Sequence, residues 1–87
     1  MGQSRPQGVP QAWDWDASFD GGELGCGDLL LELRGFVLPL AGGTRVLVTA
    51  RDSGAPIEMP AWCRLTRHVL LQAEHPFYLV ERRTDRG

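Results

Sequence analysis

The sequence predicts an α+β two-layer sandwich, with two helices packed on one face of a four-stranded mixed sheet. Two stretches carry apolar residues at helical spacing, and segments with strand-like alternation stand before, between and after them. Loops that contain glycine or proline separate these segments. The resulting order, β-α-β-α-β-β, favours right-handed crossovers followed by an antiparallel hairpin.

The composition limits the class of protein. The 87 residues suit one small domain. The net charge of −2 leaves no excess of basic residues to bind phosphate groups, which disfavours nucleic-acid binding. The longest strictly apolar run is only residues 29–31, so we expect no membrane-spanning segment. Two cysteines do not make a disulfide framework, and free thiols suit a reducing cytoplasm.

The expected organisation is a single domain between two short, polar ends. Residues 1–10 are rich in Gly, Gln, Ser and Pro and are predicted to be a disordered leader. The domain is expected over residues 11–83, and residues 84–87 are expected to form a flexible tail.

The first strand is predicted from the alternation of polar and apolar residues between positions 12 and 19. This pattern would place four apolar side chains on one face: Trp13, Trp15, Ala17 and Phe19. A glycine-containing loop over residues 20–25 then leads to the first helix.

The first helix is predicted to begin at or next to Cys26 and to end near Leu38, because Pro39 disfavours helical geometry at the residue before it. Six apolar residues form its core stripe: Leu29, Leu30, Leu33, Phe36, Val37 and Leu40. The helix therefore carries a thiol at its first turn, where the helix dipole favours an anion and can lower the pKa of a cysteine.

The second half predicts a strand, a helix and a hairpin. Residues 44–51 read as a strand, and the second helix is expected to start at Pro56 or Pro60 and to run to about Arg67. Residues 69–74 and 77–82 form the hairpin. The sheet face away from the helices is expected to be largely exposed.

Cys26 is the candidate nucleophile, since a thiolate is the attacking form of cysteine. Gly25 and Gly27 flank it and leave the sulfur open to a partner, and the Gly27 N–H is expected near the thiol or a bound anion. The alternative is that Cys26 is a small buried residue at a tight turn.

Carboxylates close to the thiol oppose its ionisation. Asp20, Glu23 and Asp28 all lie near Cys26 in the sequence, and negative charge raises the pKa of a thiol. Asp52, after the second strand, is predicted to form a turn or a helix cap.

The sequence predicts no metal site at the remaining cysteine and histidine residues. Cys63 lies on the apolar stripe of the second helix and is expected to be a buried structural residue. His68 is expected at the surface or in a hydrogen bond. Cys26, Cys63, His68 and His75 are scattered, and only Cys63 and His68 are near each other in the sequence. We therefore predict no metal and no cofactor.

Several segments over about residues 13–83 form a joint pattern. Asp20 precedes Cys26 by six positions, with the apolar Leu24 two positions before the cysteine. Residues 46–52 form a strand that ends in an acidic turn, and residues 57–63 form the start of the second helix. In these features the chain resembles the TusA/SirA-like sulfurtransferase family. The chain departs from the family's Cys-Pro-x-Pro motif in having neither proline.

The resemblance implies the same sandwich and a sulfur-carrier function. Cys26 would carry persulfide sulfur from a protein donor, a cysteine desulfurase, to a protein acceptor, as in tRNA thiolation. It implies no cofactor, and the charge and the short apolar runs predict no direct contact with nucleic acid and no membrane. The alternatives are a non-catalytic relative that serves as an interaction or regulatory module and, more weakly, an RNA-binding sandwich. A monomer or a weak dimer is compatible with the sequence.

Overall fold

The computed structural model describes residues 6–84, which form the predicted two-layer sandwich. The elements are β1 (Ala17–Asp20), α1 (Cys26–Val37), β2 (Arg45–Thr49), α2 (Ala55–Thr66), β3 (Val69–Glu74) and β4 (Phe77–Glu81). The sheet order is β1-β2-β4-β3, with β1 parallel to β2 and with β4 antiparallel to both of its neighbours. The predicted element order and mixed four-stranded sheet are confirmed.

The main core lies between the helices and one face of the sheet. Val46 and Val48 of β2 are fully buried on this face, because alternate residues of a strand point to the same side. Leu29, Leu33 and Val37 supply the stripe of α1, at 0% exposure each. From α2 come Ala55, Met59, Trp62 and Cys63.

The opposite face of the sheet carries a second apolar cluster. Its buried members are Trp13, Leu47, Phe77 and Leu79, and its partly buried members are Val9, Trp15 and Leu71. The prediction that Trp13 and Trp15 share a face with Ala17 and Phe19 is wrong, since β1 begins only at Ala17. The segment before β1 packs its tryptophans on the outer face, which is therefore more covered than predicted.

Part of the expected leader contributes to this second cluster. Val9 packs against it, and the Trp13 N–H donates to the Pro10 carbonyl at 3.1 Å. Residues 1–5 of the leader and residues 85–87 of the expected tail lie outside the described part of the chain.

The ends of the helices have identifiable causes. Helix α1 begins at Cys26 after the extended residue Gly25, as expected, and α2 begins one residue before Pro56, which suits the first turn. Arginines from the end of the sheet satisfy carbonyl groups at the other ends: Arg82 Nη2 donates to the Leu38 oxygen at 2.8 Å, and Arg83 Nη1 to the Thr66 oxygen at 3.0 Å. Within residues 6–84 neither helix is long and apolar enough to span a membrane.

Gly21 allows the loop after β1 to pass beneath α1. A Cβ at this buried position would overlap with Cδ1 of Leu29 and would lie 3.2 Å from the carbonyl oxygen of Thr49. We expect Gly21→Ala to lower the free energy of unfolding by about 1–3 kcal/mol, as overpacking does in a tight core. Urea denaturation measures this change.

Gly35→Ala is the matched control for that substitution. Gly35 lies within α1, and nothing is within 4 Å of the position of its Cβ. Alanine is the better helix former, so this variant is expected to gain about 0.5–1 kcal/mol. Equal effects of the two substitutions would contradict the close packing of Gly21 under α1.

Candidate functional site

Three parallel strands bring their carboxyl ends to one edge of the sheet. β1 is parallel to β2, and β3 runs in the same direction because both β2 and β3 are antiparallel to β4. The segments that follow these strands carry Cys26, Asp52 and His75, and Tyr78 lies at the start of β4. We call these four residues the thiol edge. Open sheets that contain parallel strands commonly bind ligands at such an edge.

Cys26 is half-buried and is the first residue of α1. The position of a Cβ on Gly54, the residue before α2, lies 3.9 Å from its Sγ, so the starts of the two helices meet at the sulfur. Nothing is within 4 Å of the Cβ positions of Gly25 and Gly27. The chain around the thiol is therefore open to an approaching group.

Asp52 connects the thiol to the loop before α2. Its Oδ2 accepts the N–H of Gly54 at 2.9 Å, which is the turn-forming role predicted from the sequence. Its carboxylate also accepts a hydrogen bond from the thiol of Cys26. The Gly54 bond and, secondly, the thiol bond hold the pKa of Asp52 below its usual range, so the group is a carboxylate at neutral pH.

The thiol of Cys26 is protonated at neutral pH. Desolvation, the hydrogen bond to Asp52 and the negative charges of Asp52 and Glu58 raise its pKa to about 11. These effects outweigh the helix dipole, which contributes only about 0.3–1 kcal/mol at an exposed site. The first turn of α1 therefore presents a thiol rather than a thiolate.

His75 and Tyr78 complete the thiol edge. His75 Nδ1 and the Tyr78 hydroxyl are 2.6 Å apart, and the two rings pack edge to face with their centroids 5.9 Å apart. Burial and, secondly, the negative charge that Cys26 carries once it ionises raise the pKa of Tyr78, which is 1% exposed. The sequence analysis did not identify this pair, although the turn after the third predicted strand was a signal that His75 lies at the same edge.

The carboxylates near Cys26 in sequence are not those that act on its thiol. Asp20 forms an ion pair with Arg51 at 2.5 Å and accepts the Gly22 N–H at 2.8 Å, and Arg51 holds the pKa of that carboxyl low. Asp28 is exposed in the first turn of α1. The acidic influence on the thiol comes instead from α2 and the loop before it.

The remaining candidates are structural. Cys63 is 3% exposed on the core stripe of α2, as predicted, and burial raises its pKa to about 11. His68 is hydrogen-bonded, one of the two expected settings: its Nδ1 accepts the Arg83 N–H at 3.0 Å, and its ring lies 5.3 Å from that of Trp62. Within residues 6–84 no three His, Cys, Asp or Glu side chains are grouped so that they could hold a metal ion.

The thiol edge thus unites a half-buried cysteine, a carboxylate that accepts a hydrogen bond from its thiol, and a histidine–tyrosine pair. The chemistry open to this arrangement is that of a thiol with access for a second sulfur atom. Comparison with protein-family models and with curated protein sequences gives no match.

Proposed function

We propose that this chain is a sulfur carrier that moves persulfide sulfur on Cys26 between two proteins, as its resemblance to the TusA/SirA-like family implies. The observation that carries the proposal is the access to the sulfur. Cys26 is half-buried at the first turn of α1, and the neighbouring Gly25 and Gly27 leave open space on both sides along the chain. A buried structural cysteine, such as Cys63, has no such access.

The proposed step is an exchange between a thiol and a persulfide. The sulfur of Cys26 attacks the terminal sulfur of a donor cysteine persulfide, and a new S–S bond forms on Cys26. The S–S bond of the donor breaks, and its cysteine leaves with the proton that Cys26 gives up. No net oxidation or reduction occurs, and transfer to the acceptor repeats the same exchange. The proposed donor is a cysteine desulfurase of the cytoplasm, where thiols stay reduced.

Asp52 acts in this proposal as a positioning residue. Its carboxylate accepts the thiol hydrogen bond while the Gly54 N–H holds it in place. The thiol stays protonated between transfers, which limits its oxidation, because the thiolate is the reactive form. During transfer its proton goes to the leaving donor sulfur, so free thiolate need not accumulate.

Intact-mass spectrometry after incubation with a cysteine desulfurase and cysteine tests the function. The wild-type chain is expected to gain one sulfur atom, and the gain is expected to disappear in Cys26→Ser. Cys63→Ser is the matched control, since it removes a buried thiol of similar raised pKa and is expected to retain the sulfur. Undiminished uptake by Cys26→Ser would overturn the assignment.

The second candidate function is a non-catalytic interaction module. Two observations favour it: the thiol rests protonated with a pKa of about 11, and Gly27 and Leu29 stand where the family has its motif prolines. Absence of sulfur uptake with every desulfurase tested would favour this module over the carrier.

A further inference from the structure

Each helix exposes a large apolar side chain in its first half, on the side away from the sheet, and α2 also exposes Leu65, at 83%, near its last residue. Leu31 of α1 is 70% exposed and Ile57 of α2 is 77% exposed. Each stands two residues from a fully buried residue of its own helix, Leu29 and Met59, which is about half a turn. We call Leu31 and Ile57 the helix-layer patch. Neither side chain contributes to the core between the helices and the sheet.

The patch belongs to the same end of the molecule as the thiol. Leu31 follows Cys26 by five residues, which is about 7.5 Å along the axis of α1. Ile57 follows Gly54 by three residues, and Gly54 is the residue that approaches the sulfur of Cys26. Both apolar side chains are therefore in the first halves of their helices, close to the thiol edge.

The charges around the patch are mainly negative. Asp28 in the first half of α1, Glu32 at the middle of α1 and Glu58 in the first half of α2 are exposed, and none of the three forms an ion pair within residues 6–84. Of the basic residues of the helices, Arg34 is three residues after Leu31 in the last turn of α1, and Arg64 is in the last turn of α2. This order complements the helix dipoles and makes the thiol end of the helix layer negative.

We propose that the helix-layer patch and these three carboxylates form the docking surface for a protein persulfide donor that surrounds its reactive cysteine with apolar side chains and a basic rim. This inference rests on the proposed sulfur transfer and adds the chemistry of the partner. Leu31 and Ile57 form the desolvated centre, and the carboxylates select and steer a cationic partner. The encounter is expected to be transient, because a carrier must leave its donor after the transfer.

Docking of a basic rim also changes the thiol. The negative charges of Asp52 and Glu58 are among the causes that raise the pKa of Cys26. Cationic groups placed beside them offset these charges and favour the thiolate. The donor that matches the surface therefore also prepares the nucleophile, whereas an anionic partner is repelled and leaves the thiol protonated.

Thiol–disulfide exchange with two synthetic peptides tests the docking surface. Each peptide holds one central cysteine as a 2-pyridyl disulfide, flanked by leucine and by either arginine or glutamate. The sulfur of Cys26 attacks the peptide sulfur, a protein–peptide disulfide forms, and pyridine-2-thione leaves with the thiol proton. Its absorbance gives the rate. Cys63→Ser serves as the parent protein, so that one thiol reacts.

The arginine peptide is expected to react at least about tenfold faster at low ionic strength, as steering of opposite charges allows. The ratio is expected to approach one at about 1 M salt, where the Debye length falls to about 3 Å. The triple variant Asp28→Lys, Glu32→Lys, Glu58→Lys is expected to lose or reverse the preference. Arg64→Glu, a charge reversal at the far end of α2, is the matched control and keeps it.

The contribution of Leu31 and Ile57 is measured separately from that of the charges. Leu31→Ser with Ile57→Ser is expected to slow both leucine-containing peptides several-fold and to leave the ratio of their rates unchanged. Circular dichroism confirms that each variant is folded. Equal rates for the two peptides at low salt, or a preference that survives the triple lysine substitution, would overturn the docking surface.

The outcomes separate this inference from the sulfur-carrier function. A charge preference without sulfur uptake from a desulfurase supports the docking surface and removes the carrier function. Sulfur uptake that depends on Cys26, without any charge preference in the peptide assay, supports the carrier function and removes the docking surface, since transfer then occurs through another surface.

Discussion

Asp52→Asn is expected to lower the pKa of Cys26 by about one unit, from its value of about 11. A carboxylate that accepts the thiol hydrogen bond stabilises the protonated form, and its negative charge opposes the thiolate. Asparagine removes the charge but keeps an amide oxygen for the N–H of Gly54. Desolvation, the largest cause of the raised pKa, remains, so the shift is partial.

The expected gain in reactivity is smaller than the gain in thiolate. A fall of one unit gives about ten times more thiolate at neutral pH, but each thiolate is then about threefold less nucleophilic, because nucleophilicity falls with pKa. Alkylation by iodoacetamide at pH 7 is therefore expected to be about threefold faster. The rate measured against pH gives the pKa directly, again in the Cys63→Ser background.

Asp28→Asn is the control for the charge of the helix start. Asp28 is in the first turn of α1 with Cys26, but it is not among the groups that raise the thiol pKa. The pH profile of this variant is expected to match that of the parent. An unchanged profile in Asp52→Asn would show that the carboxylate does not restrain the thiol.

The sequence predicts the fold correctly at those elements whose hydrophobic pattern is compatible with only one kind of secondary structure. The core stripe of α1 and the alternation of β2 each bury a single face, and both elements form as predicted. The predicted position of Trp13 and Trp15 is wrong for a physical reason. Alternation over residues 12–19 is equally compatible with a strand and with an extended segment that packs on the other face of the sheet. Only the pairing of Ala17 with Val46 fixes where the strand begins.

The sequence predicts only part of the candidate site, because the order of the strands in the sheet brings most of its residues together. Cys26 is visible in the sequence as a thiol between two glycines at a predicted helix start. Its contact with Asp52 needs β1 and β2 to be parallel neighbours. The approach of His75 and Tyr78 needs β4 to lie between β2 and β3, which no local pattern encodes.

Leu33→Ala is expected to lower the free energy of unfolding by about 2–5 kcal/mol, the range for truncating a buried leucine. Leu33 is 0% exposed in the main core, so its removal loses apolar burial and leaves a cavity between α1 and the sheet. Urea denaturation, with the slope checked for a two-state transition, gives the change. A loss below about 1 kcal/mol would contradict the packing of this helix.

Leu31→Ala makes the same substitution two residues away on the opposite side of α1. Because Leu31 is 70% exposed, we expect this variant to change the free energy of unfolding by no more than about 0.5 kcal/mol. Its rate of exchange with the leucine–arginine peptide should nevertheless fall, whereas Leu33→Ala should retain that rate under conditions where it is folded. Such opposite results at two leucines of one helix would separate the residue that holds α1 on the sheet from the residue that α1 presents to a partner. A large loss of stability in Leu31→Ala would instead assign this side chain to the fold and remove it from the docking surface.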